Sequence, residues 1–507
     1  MRDRIFRWAA IPVGLSLASM GLVMTAQSAS HGRAAARAVV FHPGIAEYYQ
    51  LTMGTTPPTE AQCNSVGRRC FSPQDVRAAY NLAPLYGGGF DGKGETIAIV
   101  DSFGSDTIAN DLHVYDQAFN LQPMCGEAGV TCVPGMPTFS QLHVQGSPPT
   151  NSPPPNSGTG QENHTLWDIE VSLDVETAHA IAPHANILLV TTPTAETLGV
   201  QGFPDFMNAE QYVVDHHLAD VITQSFGSAE EAFSSTQSLL NLRHAFISAA
   251  QNHVTVLASS GDNGTANIVK QPTKNPATIP FPTVGWPASD PLVTGVGGTY
   301  LCTQATGTAT GAPSSRIADN ASPGGRCPAF PGQAEVGWTF SGGGFSHVFS
   351  RPGYQDSLPA GSTPIGGMRG VPDVGFQASA GTGGLVFISL PPDGQSGLIC
   401  GKVPCSTGWF DIGGTSLSCP QWAGLVAIAD QINGGHDLGL INPALYKIGS
   451  DPRRYANDFF DVITGKNQAD PTVAGYPATT GWDPVTGLGT PNAAVLLPDL
   501  VNAANGH

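Results

Sequence analysis

The sequence predicts an α/β protein with a mostly parallel sheet and helices on both of its faces. Short apolar runs rich in valine, isoleucine and leucine alternate along the chain with longer stretches of helical periodicity. Strands buried on both sides form such continuous apolar runs, and strand–helix alternation is typical of a parallel sheet. The strands are predicted over 96–100, 186–191, 219–225 and 254–259. The helices are predicted over 165–182, 205–217, 235–252 and 419–432.

The N-terminus has the pattern of a signal peptide over residues 1–30. Residues 2–7 contain three arginines, the run from Trp8 to Ala26 is mostly apolar, and small residues follow it. A membrane anchor is the alternative, but Pro12 interrupts the run and no stop-transfer pattern follows. No other segment of the sequence is long and apolar enough to span a bilayer. We therefore expect a secreted, extracellular protein that is free of the membrane once the signal is removed.

Cysteine usage also favours an oxidising compartment. Eight of the nine cysteines form pairs that are close in sequence. Local bridges are the simplest prediction, although the sequence alone does not determine connectivity. The pairs are Cys63 with Cys70, Cys125 with Cys132, Cys302 with Cys327, and Cys400 with Cys405. Cys419 remains and is expected to be a free, buried thiol.

The charge balance excludes an electrostatic nucleic-acid binder. The net charge is −18 with 21 basic residues, and no basic cluster is present. We expect a monomer that has no nucleic-acid partner.

Ser416 is the strongest candidate for a catalytic residue. It lies in Gly-Gly-Thr-Ser, directly before an apolar helical stretch, which would place its hydroxyl at a helix N-terminus. Backbone N–H groups and the helix dipole favour negative charge there, as a developing oxyanion requires. A plain N-cap has the same local pattern. The remainder of the chain must therefore supply a base.

Histidine is not that base. A histidine-dependent serine protease of the subtilisin kind has its histidine in a His-Gly-Thr setting, and none of the 14 histidines stands in one. The predicted helix around 166–182 instead carries Glu170 and Asp174. These carboxylates are four residues apart, so they share one helix face. Two such groups favour sharing one proton, which raises one apparent pKa. On its own, an acidic pair of this spacing is also typical of a solvated helix surface.

A series of ordered motifs from residue 72 to about 500 resembles the sedolisin family of serine-carboxyl peptidases. The motifs include Glu170-Val-Ser-Leu-Asp174, Ser225-Phe-Gly, Ser-Gly-Asp262-Asn-Gly and Gly-Thr-Ser416. The resemblance implies a subtilisin-like three-layer fold and a peptidase domain over 76–507. Protein or peptide substrates are implied as partners.

The resemblance also implies a role for each motif residue. Ser416 would be the nucleophile, Glu170 its general base, and Asp174 the group that orients Glu170. Asp262 would be the oxyanion-hole acid, which can donate a hydrogen bond only while it is protonated. A glutamate base and an aspartic acid suit acidic pH, because their ordinary pKa values are about 4.

The chain departs from this family at two positions near the pair. Asp101 follows the first strand, where many relatives have glutamate. It is expected either to join the carboxylate network or to be structural, with the network slightly favoured. Phe226 replaces the tryptophan of several relatives, which removes a donor but leaves an apolar wall.

The same resemblance implies one structural calcium ion near the C-terminus. Its ligands would be the side chains of Asp461 and Asp483 and the carbonyl oxygens of Val462, Thr479 and Gly481. Calcium prefers hard oxygen ligands of this kind. Two turn aspartates among glycines would be the alternative.

Residues 31–75 are expected to form a short leader or reduced propeptide, shorter than the propeptide domain usual in the family. Three functions are compatible with the sequence. The first is a secreted, acid-acting endopeptidase, and the second is a tripeptidyl exopeptidase of the same family. The third is a protease-like secreted binding protein without activity, against which the intact set of motif residues argues.

Overall fold

The computed structural model describes residues 42–43, 47–145, 161–193, 202–269, 277–308, 316–319, 324–391 and 394–507. The predicted signal peptide lies outside these residues.

The described residues form strands of very unequal length. They are β1 His42–Pro43, β2 Glu47–Met53, β3 Arg69–Phe71, β4 Thr96–Ser102, β5 Phe139–His143, β6 Asn186–Thr192, β7 Val221–Gln224, β8 Phe226–Ala229, β9 Thr255–Ser259, β10 Ile268–Val269, β11 Ala277–Thr278, β12 Gly285–Trp286, β13 Thr294–Leu301, β14 Glu335–Gly337, β15 Gly344–Ser350, β16 Met368–Val371, β17 Val374–Gln377, β18 Thr382–Ile388, β19 Ile399–Cys400, β20 Val403–Pro404, β21 Gly408–Gly413, β22 Phe459–Phe460 and β23 Thr490–Pro491.

The helices fall mainly between the strands of the first half and at the C-terminus. They are α1 Glu60–Ser65, α2 Pro73–Ala79, α3 Ala83–Gly87, α4 Ile108–Phe119, α5 Gln161–Ile181, α6 Phe203–Asp215, α7 Thr236–Leu240, α8 His244–Gln251, α9 Thr415–Ile432, α10 Asn442–Ser450, α11 Pro452–Asp458 and α12 Ala493–Ala504.

The main sheet has eight strands in the order β14-β13-β9-β7-β4-β6-β5, with β17 also paired to β13. All its pairings are parallel except that of β13 with β14. The four strands predicted from sequence are β4, β6, β7 and β9. The predicted α/β class with a mostly parallel sheet is therefore confirmed.

Helices cover both faces of this sheet, as β4 illustrates. Its residues Ile97 and Ile99 pack in one apolar cluster with α5 and α9. The alternate residues Ala98 and Val100 pack in a second cluster with α6 and α8. Successive side chains of a strand point to opposite faces, so this division puts a helical layer on each side.

Two helix boundaries differ from the prediction. The predicted helix over 235–252 is two helices, α7 and α8, separated by a short turn. The predicted helix over 419–432 begins one turn earlier, at Thr415. The prediction counted Gly-Thr-Ser as a loop, whereas the structure includes Thr415 and Ser416 in the first turn of α9.

A second sheet joins part of the predicted leader to the segment before Ser416. Its order is β2-β21-β18-β3, in which β2 and β3 come from residues 47–71. Strand β2 pairs antiparallel with β21, and Glu47 lies opposite Gly413. Strand β3 pairs parallel with β18. The leader from residue 47 onward thus shares hydrogen bonds with strands of the peptidase domain.

Four disulfides are present, and they are the four local pairs that the sequence favours. They join Cys63 to Cys70, Cys125 to Cys132, Cys302 to Cys327, and Cys400 to Cys405. Cys419 is free and buried. Burial raises the pKa of its thiol, and its sulfur lies 3.2 Å from the Thr223 hydroxyl. A thiol in such surroundings is expected to be inert.

Candidate active site

Helices α5 and α9 approach each other closely at Gly424. A Cβ atom at this position would lie 2.8 Å from Cβ of Ile181 and 3.2 Å from the carbonyl oxygen of Ala178. Any larger residue would push the two helices apart. The glycine therefore holds α5, which carries Glu170 and Asp174, against α9, which begins next to Ser416.

Ser416 is the second residue of α9 and is fully buried. Its hydroxyl lies 3.5 Å from the carbonyl oxygen of Ser225, a long hydrogen bond. Ser225 directly follows β7, at the carboxyl edge of the main sheet. Ser416 thus lies in the first turn of α9, where the helix dipole favours negative charge.

Glu170 and Asp174 are both fully buried, one turn apart on α5. Burial raises the pKa of Glu170 well above its usual value, and the charges of Asp174 and Asp101 raise it further. The nearby Ser416 hydroxyl acts in the opposite direction, while neither oxygen of Glu170 has a hydrogen-bond partner among the described residues. Nucleophile and carboxyl are therefore close enough to interact. Carboxyl groups buried together in this way retain protons.

Asp101 joins this pair from the end of β4. Its side chain is fully buried, and neither carboxyl oxygen has a hydrogen-bond partner among the described residues. Burial raises its pKa to about 8. Burial is also the main cause of the raised pKa of Asp174, and the charge of Asp101 adds to it. The structure thus brings three carboxyl groups together, including the one whose role the sequence left open.

Asp262 approaches Ser416 from the turn after β9. Its Oδ1 accepts two hydrogen bonds from Thr415, from the backbone N–H at 2.7 Å and from the hydroxyl at 2.8 Å. The N–H of Gly261 donates to the same hydroxyl at 3.0 Å. Oδ2 is buried and has no partner among the described residues. Burial raises the pKa of Asp262 to about 7, against the lowering effect of the Thr415 bonds.

A cavity of about 740 Å³ opens next to these groups. Asp262 and the three residues before it line one side, and residues 227–229 of β8 line another. Trp338 and Phe340 contribute aromatic surface. Asp262, the predicted oxyanion acid, thus borders the cavity, as do Glu47 and Asp470, while Glu170 and Ser416 are buried.

Phe226 forms an apolar wall beside this region, as its sequence context suggests. It is fully buried. Its ring centroid lies 4.5 Å from that of Phe206 and 6.1 Å from that of Phe203. A tryptophan in the family pattern would add an N–H donor, and this chain replaces that donor with aromatic packing.

Two residues that contact the site belong to the sequence motifs but were given no role there. Thr415 fixes Asp262, and the carbonyl oxygen of Ser225 accepts the long hydrogen bond of Ser416. Both could have been found by position. Ser225 ends a predicted parallel strand, where functional residues gather, and Thr415 precedes the candidate nucleophile.

The predicted calcium residues form a separate loop at the C-terminus. Both oxygens of Asp461 accept from the N–H of Gly481, at 3.2 and 3.1 Å. Asp483, which is fully buried, accepts from the N–H of Thr479 at 2.9 Å. Two carboxylates are therefore tied to two of the three residues whose carbonyls complete the predicted set, Thr479 and Gly481. The candidate metal ligands are all oxygen atoms, and this chemistry fits calcium.

No protein-family model matches the chain. Among curated proteins, it is 30% identical over 474 residues to kumamolisin from Bacillus sp. (strain MN-32), covering 91% of this chain and 69% of kumamolisin. It is 29% identical over 384 residues to tripeptidyl-peptidase SED4 from Arthroderma otae, covering 67% of this chain and 53% of that protein. It is 28% identical over 371 residues to tripeptidyl-peptidase 1 from Mus musculus, covering 68% and 54%. The chain thus spans about half the length of these two tripeptidyl-peptidases.

Among solved structures, the fold is similar to that of Pseudomonas sedolisin, a serine-carboxyl proteinase complexed with two molecules of pseudo-iodotyrostatin. The TM-score is 0.58 at 24% sequence identity, over 85% of this chain and 98% of that one. At this identity the similarity concerns the fold, and it agrees with the predicted subtilisin-like three-layer architecture. Together with the extended match to kumamolisin, it supports the resemblance found in the motifs. The chain belongs to the sedolisin family of serine-carboxyl peptidases.

Proposed function

We propose that the protein is an acid-acting serine-carboxyl peptidase in which Ser416 is the nucleophile and Glu170 the general base. The observation that supports this most directly is the position of Ser416 at the start of α9, beside the buried carboxyl of Glu170. Asp174 and Asp101 act through Glu170, because their charges raise its pKa. They are positioning residues in this scheme. Asp262 is the acid that stabilises the oxyanion.

The reaction follows from these roles. Ionised Glu170 takes the proton of the Ser416 hydroxyl as its oxygen attacks the carbonyl carbon of the peptide bond. Negative charge moves to the carbonyl oxygen, where protonated Asp262 donates a hydrogen bond. When the C–N bond breaks, Glu170 returns the proton to the leaving amine and an acyl-enzyme ester remains. A water molecule, deprotonated by Glu170, then attacks the ester. Ser416 recovers its proton and the peptide carboxylic acid is released.

The proposed mechanism confines activity to acidic pH. Asp262 must be protonated, and with a pKa of about 7 it is mostly protonated only below about pH 7. Glu170 must be ionised while its neighbours retain their protons. The ionisation of Glu170 sets the lower pH limit of activity, and the deprotonation of Asp262 sets the upper one. The rate should therefore fall as pH rises through 7.

A pH–rate profile on a quenched fluorescent peptide tests this proposal. Wild-type protein should show an acidic optimum and little turnover above pH 7, and Ser416→Ala should be inactive throughout. A peptide aldehyde should inhibit the wild type, since the nucleophile adds to it. An alkaline optimum, or full activity in Ser416→Ala, would overturn the assignment.

We further propose that the enzyme is an endopeptidase acting on proteins or peptides. The cavity beside Asp262 is large enough for several residues of an extended chain. A tripeptidyl exopeptidase is the second candidate, and the names of two of the relatives favour it. The two activities separate on one peptide made with a free or an acetylated N-terminus. An endopeptidase cleaves both forms, whereas a tripeptidyl-peptidase requires the free amine.

The proposal includes secretion and a structural calcium ion. Four disulfides support an oxidising compartment. Within the described ranges, no helix combines the length and apolar character needed to cross a membrane. Asp461, Asp483 and the carbonyls of Val462, Thr479 and Gly481 would hold the calcium, which would cross-link the C-terminal loop.

A further inference from the structure

Three carboxylates meet at the end of the main sheet that is opposite to the active site. They belong to Glu95, Asp220 and Asp437, and oxygen atoms of the three lie within 4.8 Å of one another. Glu95 and Asp220 directly precede the neighbouring parallel strands β4 and β7, whereas Asp101 and Ser225 follow the same strands. The three residues therefore form a cluster separate from the catalytic carboxyls. We call it the basal cluster.

The charge of the basal cluster is only partly compensated. Burial raises the pKa of Asp437, whereas its interaction with Asp220 and the charges of His253 and His436 lower it. Glu95 is only 5% exposed, and the other two side chains are partly buried. Asp220 accepts a hydrogen bond from the N–H of Thr96 at 2.6 Å. No lysine or arginine within the described ranges forms an ion pair with any of the three. Such a group requires either shared protons or a cation.

Asp430 is a second and independent indication of a ligand. It lies in the last turn of α9, about 20 Å from Ser416 at the helical rise, and is fully buried. One of its oxygens accepts from the N–H of Leu438 at 2.9 Å. The other is buried and has no hydrogen-bond partner in the described part of the chain. An unpaired buried carboxylate oxygen is costly, so its retention needs an explanation.

Asp430 lies beside the basal cluster. Its Oδ1 accepts from the N–H of Leu438, the residue after Asp437, and its carbonyl oxygen accepts from the N–H of Gly435, where a Cβ would lie 3.6 Å from Oε1 of Glu95. Burial raises the pKa of Asp430 to about 9, and the charges of Asp437, Glu95 and Asp220 raise it further. Its neighbours in the fold are thus the same three carboxylates. A cation among them would compensate all four groups at once.

We propose that Glu95, Asp220 and Asp437, with Asp430 adjacent, form a binding site for one divalent cation of the calcium type. The donors are carboxylate oxygens, which calcium prefers to softer ligands. Asp437 also lines a cavity of about 630 Å³ that includes His253 and His436. This cavity gives an ion a route to the cluster and room for the waters that complete its coordination.

A bound ion would join parts of the chain that are distant in sequence. It would tie the starts of β4 and β7 to the loop after α9, the helix whose other end carries Ser416. The expected effect is on stability, because the cluster lies far from the reacting groups. The site does not depend on the peptidase mechanism or on the C-terminal calcium loop.

Calcium titration calorimetry on chelator-treated full-length protein at pH 7.5 tests the proposal. Asp437→Asn should bind one ion fewer per chain than wild type. Asp220→Asn should also bind one ion fewer. Its fold should be kept, because asparagine can still accept the hydrogen bond from the N–H of Thr96. Asp215→Asn is the matched control, because it removes one exposed aspartate charge on α6 and should change nothing. Asp461→Asn distinguishes the basal cluster from the C-terminal calcium loop. It should remove the ion of that loop whether or not Asp437 is also substituted.

Thermal unfolding supplies the second readout. Calcium should raise the Tm of Asp437→Asn less than that of wild type, while peptidase activity at saturating substrate stays unchanged at low temperature. An unchanged number of ions in both Asp437→Asn and Asp220→Asn would overturn the proposal. Equal calcium-dependent Tm shifts in these variants and in wild type would also overturn it.

Discussion

Thr415 holds Asp262 by one oxygen and leaves the other oxygen unpaired. The N–H and hydroxyl of Thr415 both donate to Oδ1, at 2.7 and 2.8 Å, while Oδ2 is buried without a partner among the described residues. Since Thr415 directly precedes Ser416, the residue that fixes the acid is the chain neighbour of the nucleophile. The acceptor side of Asp262 is thus occupied, and a proton on Oδ2 would have no partner until an oxyanion forms.

This geometry predicts different effects for two substitutions of Asp262. In Asp262→Asn, Thr415 would fix the amide oxygen and leave the amide N–H₂ at the position of Oδ2, where it donates at any pH. We expect Asp262→Ala to lose about 10²–10³-fold in kcat. Asp262→Asn should lose less, and its rate should no longer fall with the pKa near 7. The measurement is kcat from pH 3 to 8 for both variants.

Asp262→Asn also provides the outcome that contradicts the assignment. If its activity falls above neutrality as steeply as that of wild type, the upper limit belongs to another group. Thr415→Val, which keeps the backbone donor but removes the hydroxyl, should show an intermediate loss.

Asp101 should influence both stability and catalysis. In the folded chain its pKa is about 8, whereas in the unfolded chain it is ~3.9. Between these values the folded state binds more protons, so its contribution to stability is complete below pH 4 and is lost as pH rises through 8. Asp101→Asn stays neutral, and it should make the fall in unfolding free energy shallower by up to about 1.4 kcal/mol per pH unit. Urea unfolding from pH 4 to 8 measures this.

Glu210→Gln is the matched control for Asp101→Asn. Glu210 is a fully buried carboxyl on α6 whose pKa is raised by burial alone. Both substitutions should flatten the pH dependence of stability, but only Asp101→Asn should shift the pH profile of kcat/KM. Identical profiles for the two variants would show that Asp101 is merely structural.

The sequence predicted the parts of the site that depend on local spacing. Glu170 and Asp174 were recognisable because four residues make one helical turn, and the cysteine pairs were recognisable because they are close in the chain. The basal cluster could not be found in this way, since Glu95, Asp220 and Asp437 meet only through strand order and the return of α9. The role of Asp101 was open for the same reason. Strand β2 had a local signal that was not used, in the Tyr-Tyr-Gln-Leu-Thr of residues 48–52.

Calcium removal should lower stability before it lowers activity. At a free calcium concentration of about 100 times its Kd, a bound ion adds about 2.7 kcal/mol to the free energy of unfolding. Chelation should therefore lower the Tm of wild type, while activity at low temperature persists. Asp461→Asn can still accept from the N–H of Gly481, so it removes charge with little change in the loop. Its Tm should respond less to chelation, and an unchanged response would argue against calcium at this loop.

The leader should compete with substrate until it is removed. His42 and Pro43 pair antiparallel with Gly227 and Phe226, on the strand whose residues 227–229 line the cavity. An extended substrate would need the same strand edge. Acidification should therefore shorten the wild-type chain and increase kcat/KM, while Ser416→Ala keeps its N-terminus. A chain made to begin at Glu47 should have the higher activity without acidification.

The structure also limits where such cleavage can fall. The buried Cys63–Cys70 bridge and the pairing of β3 with β18 hold the chain from α1 onward. A cut after these elements would release β3 from the second sheet, whose strand β21 ends just before Ser416. N-terminal sequencing should therefore find the new terminus before Cys63. A terminus beyond Pro73 in fully active protein would mean that β3 is dispensable, and the whole predicted leader over 31–75 would then be a removable segment.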